Sequence, residues 1–172
     1  SADGTVALND SLTITGAGNS SVNGTFTGSC SLTLESGTME VKGDSSAYTG
    51  NIVLGTASSG ATIELGASGS LGMGTISFKN ASSELDVDVD GSKILSNKLD
   101  GTGIVTVAGD GIDDTFAFAS GQSTDFAGSL RLTNVGYDFR TSGNATLDNV
   151  ELNVSGGSLT VNGTTGVVDR DI

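Results

Sequence analysis

Apolar and polar residues alternate along most of this chain, in short segments separated by glycine, serine, asparagine or aspartate. Period two sends successive side chains to opposite faces of a β-strand, so each segment has one face for a core and one for water. No window has a helical period, and the pattern predicts an all-β protein with almost no helix. The alternating segments are 12–14, 32–34, 39–41, 63–65, 76–78, 85–89, 104–107, 116–118, 130–132, 150–154 and 159–161.

An aromatic-x-Gly motif recurs along the chain, each time with leucine six residues after the aromatic. The first two copies lie 22 residues apart. A repeat of this length predicts one coil of a right-handed parallel β-helix, with the aromatic residues stacked inside. At the usual strand spacing, roughly seven or eight coils would give a rod of about 35–40 Å. The aromatic and leucine pairs are Phe26 with Leu32, Tyr48 with Leu54, and Phe126 with Leu132.

A β-sandwich is the alternative fold, because short strands at regular spacing fit both architectures. A sandwich ordinarily shows hairpin dipeptides between its strands, and here Asn23-Gly24 and Asp90-Gly91 are only occasional examples. The β-helix is therefore preferred, as a single domain over residues 1–172. Residues 90–101 are the most polar stretch, and we expect them to form a loop at one corner of a coil.

Charge and composition narrow the partners. The net charge of −13 repels nucleic acid and anionic lipid, so neither is an expected partner. No apolar run reaches the roughly 20 residues of a membrane-spanning helix, and we expect no membrane insertion. Histidine is absent, which removes the usual general base and the commonest zinc ligand. Cys30 is the single cysteine, and its apolar alternation predicts a small core residue.

Residues 97–105 are similar to the N-x-L-x-G-x-G-x-V pattern that recurs in autotransporter passenger domains, the secreted parts of type V secretion proteins. The segments that begin at Tyr48 and Phe126 resemble the aromatic-x-Gly rungs of the same family. The resemblance implies a right-handed parallel β-helix on the surface of a Gram-negative bacterium, carried across the outer membrane. It also implies a passenger fragment without its signal peptide and translocator barrel. Known members of the adhesin branch mediate cell adherence, aggregation and biofilm formation.

From this resemblance we expect an adhesin whose outward Asp, Asn, Ser and Thr side chains form one long polar face. The expected partner is a second copy, associating in parallel, or a host surface receptor or glycan. The alternative is an inert stalk that displays another domain.

Two acidic clusters are candidate cation sites. Asp86, Asp88 and Asp90 match the opening of a calcium-binding loop, but the twelfth position is Asn97 instead of glutamate. A charged outer strand face explains the same alternation, and we prefer it. The second cluster is expected to be a solvated turn, and it consists of Asp110, Asp113 and Asp114. No metal or cofactor is predicted.

Catalysis is not expected either. Gly43-Asp44-Ser45-Ser46 resembles the Gly-Asp-Ser-Gly nucleophile of protease autotransporters, but without histidine no base accepts the serine proton. We therefore predict an ordinary turn there. A polysaccharide-cleaving β-helix is a less favoured alternative, because Lys93, Lys98 and Arg131 do not cluster with the aspartates.

Overall fold

The computed structural model describes residues 4–111, 113–119, 125–138, 151–155 and 159–160. For Asp138 and for the last two segments, it describes the strands without their side chains. Val150 and Val161, which the alternation placed at strand ends, lie outside the described residues.

Every regular element in these ranges is a β-strand, and none of them forms a helix that could span a membrane. The strands are β1 (Thr5–Leu8), β2 (Leu12–Ile14), β3 (Asn19–Val22), β4 (Thr25–Gly28), β5 (Leu32–Leu34), β6 (Gly37–Val41), β7 (Ile52–Leu54), β8 (Ala61–Leu65), β9 (Thr75–Phe78), β10 (Glu84–Val89), β11 (Ser92–Leu95), β12 (Lys98–Gly101), β13 (Ile104–Gly109), β14 (Thr115–Phe118), β15 (Asp125–Phe126), β16 (Ser129–Thr133), β17 (Gly136–Asp138), β18 (Glu151–Ser155) and β19 (Leu159–Thr160).

Successive strands stack into parallel sheets that run along a β-solenoid of about six turns. The long sheet contains β3, β6, β8, β10, β13, β16 and β18, and the second sheet contains β2, β5, β7, β9, β12 and β15. A third face carries β1 and β4 at one end, and β11, β14, β17 and β19 at the other. All of these strand pairs are parallel, which confirms the parallel β-helix and makes the β-sandwich alternative wrong.

The number of coils is smaller than the seven or eight that we predicted, because the turns are longer. Paired residues on neighbouring turns are 19 positions apart at Asn19 and Thr38, and 25 apart at Ile104 and Ser129. Six intervals at the usual strand spacing correspond to a long sheet of roughly 29 Å.

The core is formed by the inward positions, where each apolar side chain stacks on another one turn away. Leu32, Ile52 and Ile76 follow one another in register on the second sheet, and each is at most 1% exposed. Aromatic rings stack in the same way, with ring centroids 6.1 Å apart for Phe26 and Tyr48. This stacking lets the chain bury an apolar core although it contains few aromatic residues.

The aromatic and leucine residues of the repeat are all buried, as predicted. Their alignment over 22 residues is wrong, however. Tyr48 bridges Gly28 and Leu54 pairs with Leu34, so the true offset is 20 residues. Leu132 belongs to the long sheet instead of the second sheet. Because side chains alternate with period two, an error of two residues leaves every inward position inward.

The expected loop at residues 90–101 is also wrong, since β11 and β12 occupy most of it. Its polar side chains misled the pattern. Lys93 pairs with the buried Phe116 and so stands at an inward position of β11. The turn before it has no strand at this place on the third face, which leaves room for a lysine where a leucine would otherwise pack.

Glycines mark corners where two turns approach closely. Gly43 lies over Gly24, and Gly24 lies over Gly4. A Cβ atom at Gly43 would collide with the backbone of Gly24, so this corner requires the absence of a side chain.

Candidate functional site

The outward side of the long sheet is the longest continuous polar surface that its register creates. We call it the lateral face and define it by three rows of outward side chains on successive turns. Each row is a straight line of neighbours, because the strands pair in parallel and in register. The first row is Thr38, Thr62, Glu84, Ile104 and Ser129; the central row is Glu40, Glu64, Asp86, Thr106 and Arg131; the third is Lys42, Asp88, Ala108 and Thr133.

Carboxylates dominate the first half of the central row. Glu40, Glu64 and Asp86 stand in direct register on three successive turns. Burial raises the pKa of Asp86 above its usual value, and the charges of Glu84, Glu64 and Asp88 raise it further. The lateral face therefore holds like charges at close spacing, which costs stability at neutral pH.

Two contacts offset part of this repulsion. Lys42 Nζ lies 2.9 Å from Glu40 Oε1, in an ion pair at the edge of the carboxylate row. The Thr106 hydroxyl donates a hydrogen bond of 2.6 Å to Glu84 Oε1. Thr106 also separates Asp86 from Arg131 in the central row, so the row changes from acidic to basic along the solenoid axis.

A shallow groove of about 380 Å³ adjoins the basic end of the lateral face. Small residues at the corner between the second and long sheets leave this space open, and Ile104, Ser129 and Arg131 of the lateral face form one side of it. The groove thus combines an apolar side chain, hydroxyl groups and one exposed guanidinium. Its other lining residues are Ala81, Thr102, Gly103, Ala127 and Gly128.

The first predicted acidic cluster does not gather around one point. Asp86 and Asp88 lie on the lateral face, whereas Asp90 is exposed beyond the end of β10. Within the described ranges, no group of acidic or cysteine side chains has an arrangement that could hold a metal ion.

The expectation of a solvated turn is wrong for Asp114, although Asp110 and Asp113 are exposed. Asp114 is only 8% exposed, and Oδ1 accepts a hydrogen bond of 2.7 Å from the Gly91 backbone N–H. Oδ2 accepts two more, from Asp110 at 2.7 Å and Gly111 at 3.0 Å. These hydrogen bonds, led by the one from Gly91, lower the pKa of Asp114 although burial opposes them. Asp114 therefore joins two neighbouring turns.

The Gly-Asp-Ser segment has a structural role. Ser45 is 1% exposed, and its hydroxyl oxygen accepts a hydrogen bond of 2.9 Å from the Phe26 backbone N–H. Asp44 accepts one of 3.0 Å from the Ser46 N–H, as in a local turn. Cys30 is half-buried against the core, and its thiol lies 3.2 Å from the Asn9 carbonyl oxygen.

Sequence reasoning missed two polar residues that link turns. The Lys93 ammonium donates hydrogen bonds to the carbonyls of Gly66 and Ala67 at 2.8 and 2.7 Å, and burial lowers its pKa. Asn97 is 1% exposed, and its amide donates to the Leu71 and Gly74 carbonyls at 3.2 and 2.8 Å. Asn97 opens the N-x-L-x-G pattern, so that pattern was a usable signal for a turn-linking asparagine.

No protein-family model, curated protein or solved structure matches the chain. The fold and the lateral face are thus the observations from which a function is argued.

Proposed function

We propose that this protein is an adhesive β-solenoid of the bacterial cell surface, an autotransporter-type passenger that mediates aggregation or adherence through its lateral face. The observation that carries the proposal is the register of the long sheet. It holds outward charges and hydroxyls in straight rows on a rigid scaffold. A flat face of this kind supplies many weak contacts at once, which suits attachment to a second repetitive surface.

The charge order of the lateral face indicates how two copies would meet. In a parallel arrangement, Glu40, Glu64 and Asp86 would each face the same acidic residue, and like charges placed opposite one another are destabilising. An antiparallel arrangement places Arg131 of each copy against the carboxylates of the other. The parallel association that we expected from the sequence is therefore disfavoured, and the proposed contact is antiparallel.

A binding role also fits the chemistry better than catalysis. The carboxylates of the central row stand on an open sheet surface, where water solvates them on both sides. Glycoside hydrolysis needs two carboxyl groups that flank a bound sugar, and the groove beside Arg131 has none among its lining residues. We propose that the protein is not an enzyme.

The decisive experiment uses cells that display the protein and measures their sedimentation. Arg131→Glu should reduce aggregation, because it removes the cation that faces the partner's carboxylates. Lys79→Glu is the matched control, since Lys79 is exposed, follows β9 and lies off the lateral face. It should aggregate like the wild type.

A charge swap makes the test specific. Cells with Arg131→Glu, mixed with cells that carry Glu64→Lys, should regain aggregation that neither population shows alone. If Arg131→Glu and Lys79→Glu behave alike, the lateral face is not the contact. If no aggregation or adherence to host cells appears at any density, the protein acts as a stalk and the proposal fails.

A further inference from the structure

The first turn of the solenoid is an open end. Strands β1, β2 and β3 each form the outermost strand of their sheet and pair on one side only, within the described part of the chain. At such an edge the core is covered only if the terminal turn carries polar inward residues or an added cap.

The inward residues of this turn are apolar and remain in contact with water. Leu12 pairs with Leu32 and shares its inward orientation, yet Leu12 is 36% exposed while Leu32 is fully buried. Val6 and Ile14 are half-buried, although their partners in the next turn belong to the core. This end therefore exposes apolar surface of the kind that the rest of the molecule buries.

Backbone groups at the same end are free to pair with another strand. Leu12 donates its N–H to the Ser31 carbonyl, and the Ile14 carbonyl accepts from the Glu35 N–H, so both residues bond toward the second turn. In a parallel ladder the residue between them points its N–H and C=O the other way, which directs those of Thr13 to the open edge.

Charge is nearly absent from this end. Asp10 is the only charged residue between positions 4 and 24, in a protein with a net charge of −13. Neither proline nor lysine interrupts β1, β2 or β3, although these are the residues that commonly protect an edge strand from pairing. Two such ends can therefore approach each other while most carboxylates stay far apart.

We propose that the open first turn is a docking surface for the first turn of a second copy, giving an end-to-end dimer. Two-fold symmetry pairs the β3 edges in antiparallel fashion and brings β1 of one copy to β2 of the other. The exposed leucines then cover each other. The interface is the same on both copies, so it closes after two and forms no filament. It uses a different surface from the lateral face and does not depend on the proposed function.

Sedimentation velocity of the purified protein over a concentration series tests this inference. The wild type should show a dimer, and Leu12→Lys should raise the dissociation constant by at least about tenfold, as expected for a charge placed at the centre of an apolar contact. Ile94→Lys is the matched control, because Ile94 is 52% exposed on β11, away from the open end. It should dimerise like the wild type.

A backbone variant separates edge pairing from apolar contact. Thr13→Pro removes an N–H that points to the open edge and is tolerated in an edge strand, so it should abolish the dimer while far-ultraviolet circular dichroism stays unchanged. Three results would overturn the inference: a monomer at all concentrations, species larger than a dimer, or equal effects of Leu12→Lys and Ile94→Lys. Arg131→Glu should leave this dimer intact, which distinguishes it from association through the lateral face.

Discussion

Asp114 shows how one side chain secures a junction between turns. Because its hydrogen bonds lower the pKa, the carboxylate stabilises the folded state above its unfolded pKa of about 3.9, and this stabilisation is lost as pH falls through the lower folded value. Asp114→Asn should therefore lower the melting temperature at pH 7, and the difference from wild type should shrink as the solution is acidified below about pH 4.

Asp113→Asn provides the control for this thermal-unfolding series, because Asp113 is exposed in the same turn. It should melt close to the wild type at every pH. A constant difference between Asp114→Asn and the wild type from pH 7 to pH 2 would show that the contribution of Asp114 does not depend on its charge.

Tyr48 combines a buried ring with a polar contact at a corner. Its hydroxyl donates a hydrogen bond of 2.7 Å to the Cys30 carbonyl, and burial raises its pKa to about 12. Tyr48→Phe removes this bond and leaves the carbonyl unpaired by it, so we expect a loss of about 1 kcal/mol in the free energy of unfolding.

The alkaline titration of Tyr48 has a definite sign. A raised folded pKa means that its stabilisation is complete below the unfolded value near 10 and is lost as pH rises through about 12. Tyrosinate absorbance measured in a Tyr137→Phe background should show this late titration. A midpoint near 10 in the folded protein would contradict the buried hydroxyl.

At the scale of strands, the alternation of residues predicted the inward positions but not which turn each strand joins. Leu54 was correctly placed in the core, yet its partner is Leu34, because a shift of two residues leaves the faces unchanged. The strand at Asn19–Val22 was missed, since its first three residues are polar and only its place in the stack makes it a strand. Stacking is a long-range property that local pattern does not contain.

The polar links were unpredictable for the same reason. Lys93 occupies an inward position because the neighbouring turn lacks a strand there, and nothing near Lys93 in the sequence reports this. The lateral face was predictable in composition, since Asp86 and Asp88 alternate with valines. Its charge order was not, because the order depends on register between turns of unequal length.

The corner glycines allow a stringent test of this register. Gly43→Ala should be strongly destabilising, because its Cβ would meet the Gly24 backbone, which the stack holds in place. Gly66→Ala is the matched control, since the nearest atom to its Cβ would be the Lys42 Cγ at 3.5 Å, an ordinary contact. Denaturant unfolding of both variants should show a loss only for Gly43→Ala; equal losses would refute the close approach.

The carboxylate row of the lateral face carries a cost that can be measured. The pKa of Asp86 is raised, so its contribution to stability is complete below the unfolded value near 3.9 and is lost as pH rises through the folded value. Asp86→Asn should therefore stabilise the protein at pH 7 by roughly 0.5 kcal/mol, a figure already discounted for solvent screening.

Salt and position supply the controls for Asp86→Asn. The gain should decrease as ionic strength rises, because screening weakens the repulsion that the substitution removes. Asp90→Asn, beyond the strand end, should give a smaller gain in the same denaturant titration. A destabilised Asp86→Asn protein would mean that the carboxylate makes a favourable contact instead.

For the whole molecule, charge decides when copies can meet. Two copies with a net charge of −13 repel at long range, whereas an exposed contact between Arg131 and a carboxylate contributes about 0–1 kcal/mol. Repulsion therefore dominates in dilute salt, and association should increase as salt shortens the screening length to about 8 Å at physiological strength. It should also increase as pH falls toward the isoelectric point near 4.1.

Light scattering across salt and pH series checks this expectation. Asp86 should contribute early in the acid series, because its raised pKa lets it take up a proton before an ordinary aspartate does. A steady decline of association with added salt would show instead that opposite charges hold the copies together.

The unequal turns also determine how the molecule responds to a pulling force. Each turn is held by its neighbours alone, so tension applied at the two ends detaches the terminal turns first and leaves the remaining stack intact. Every detached turn releases 19 to 25 residues of chain, about 65–90 Å when extended. On a cell exposed to flow, such a rod would lengthen in steps and dissipate load one turn at a time, while the turns still folded keep their grip on whatever they have bound.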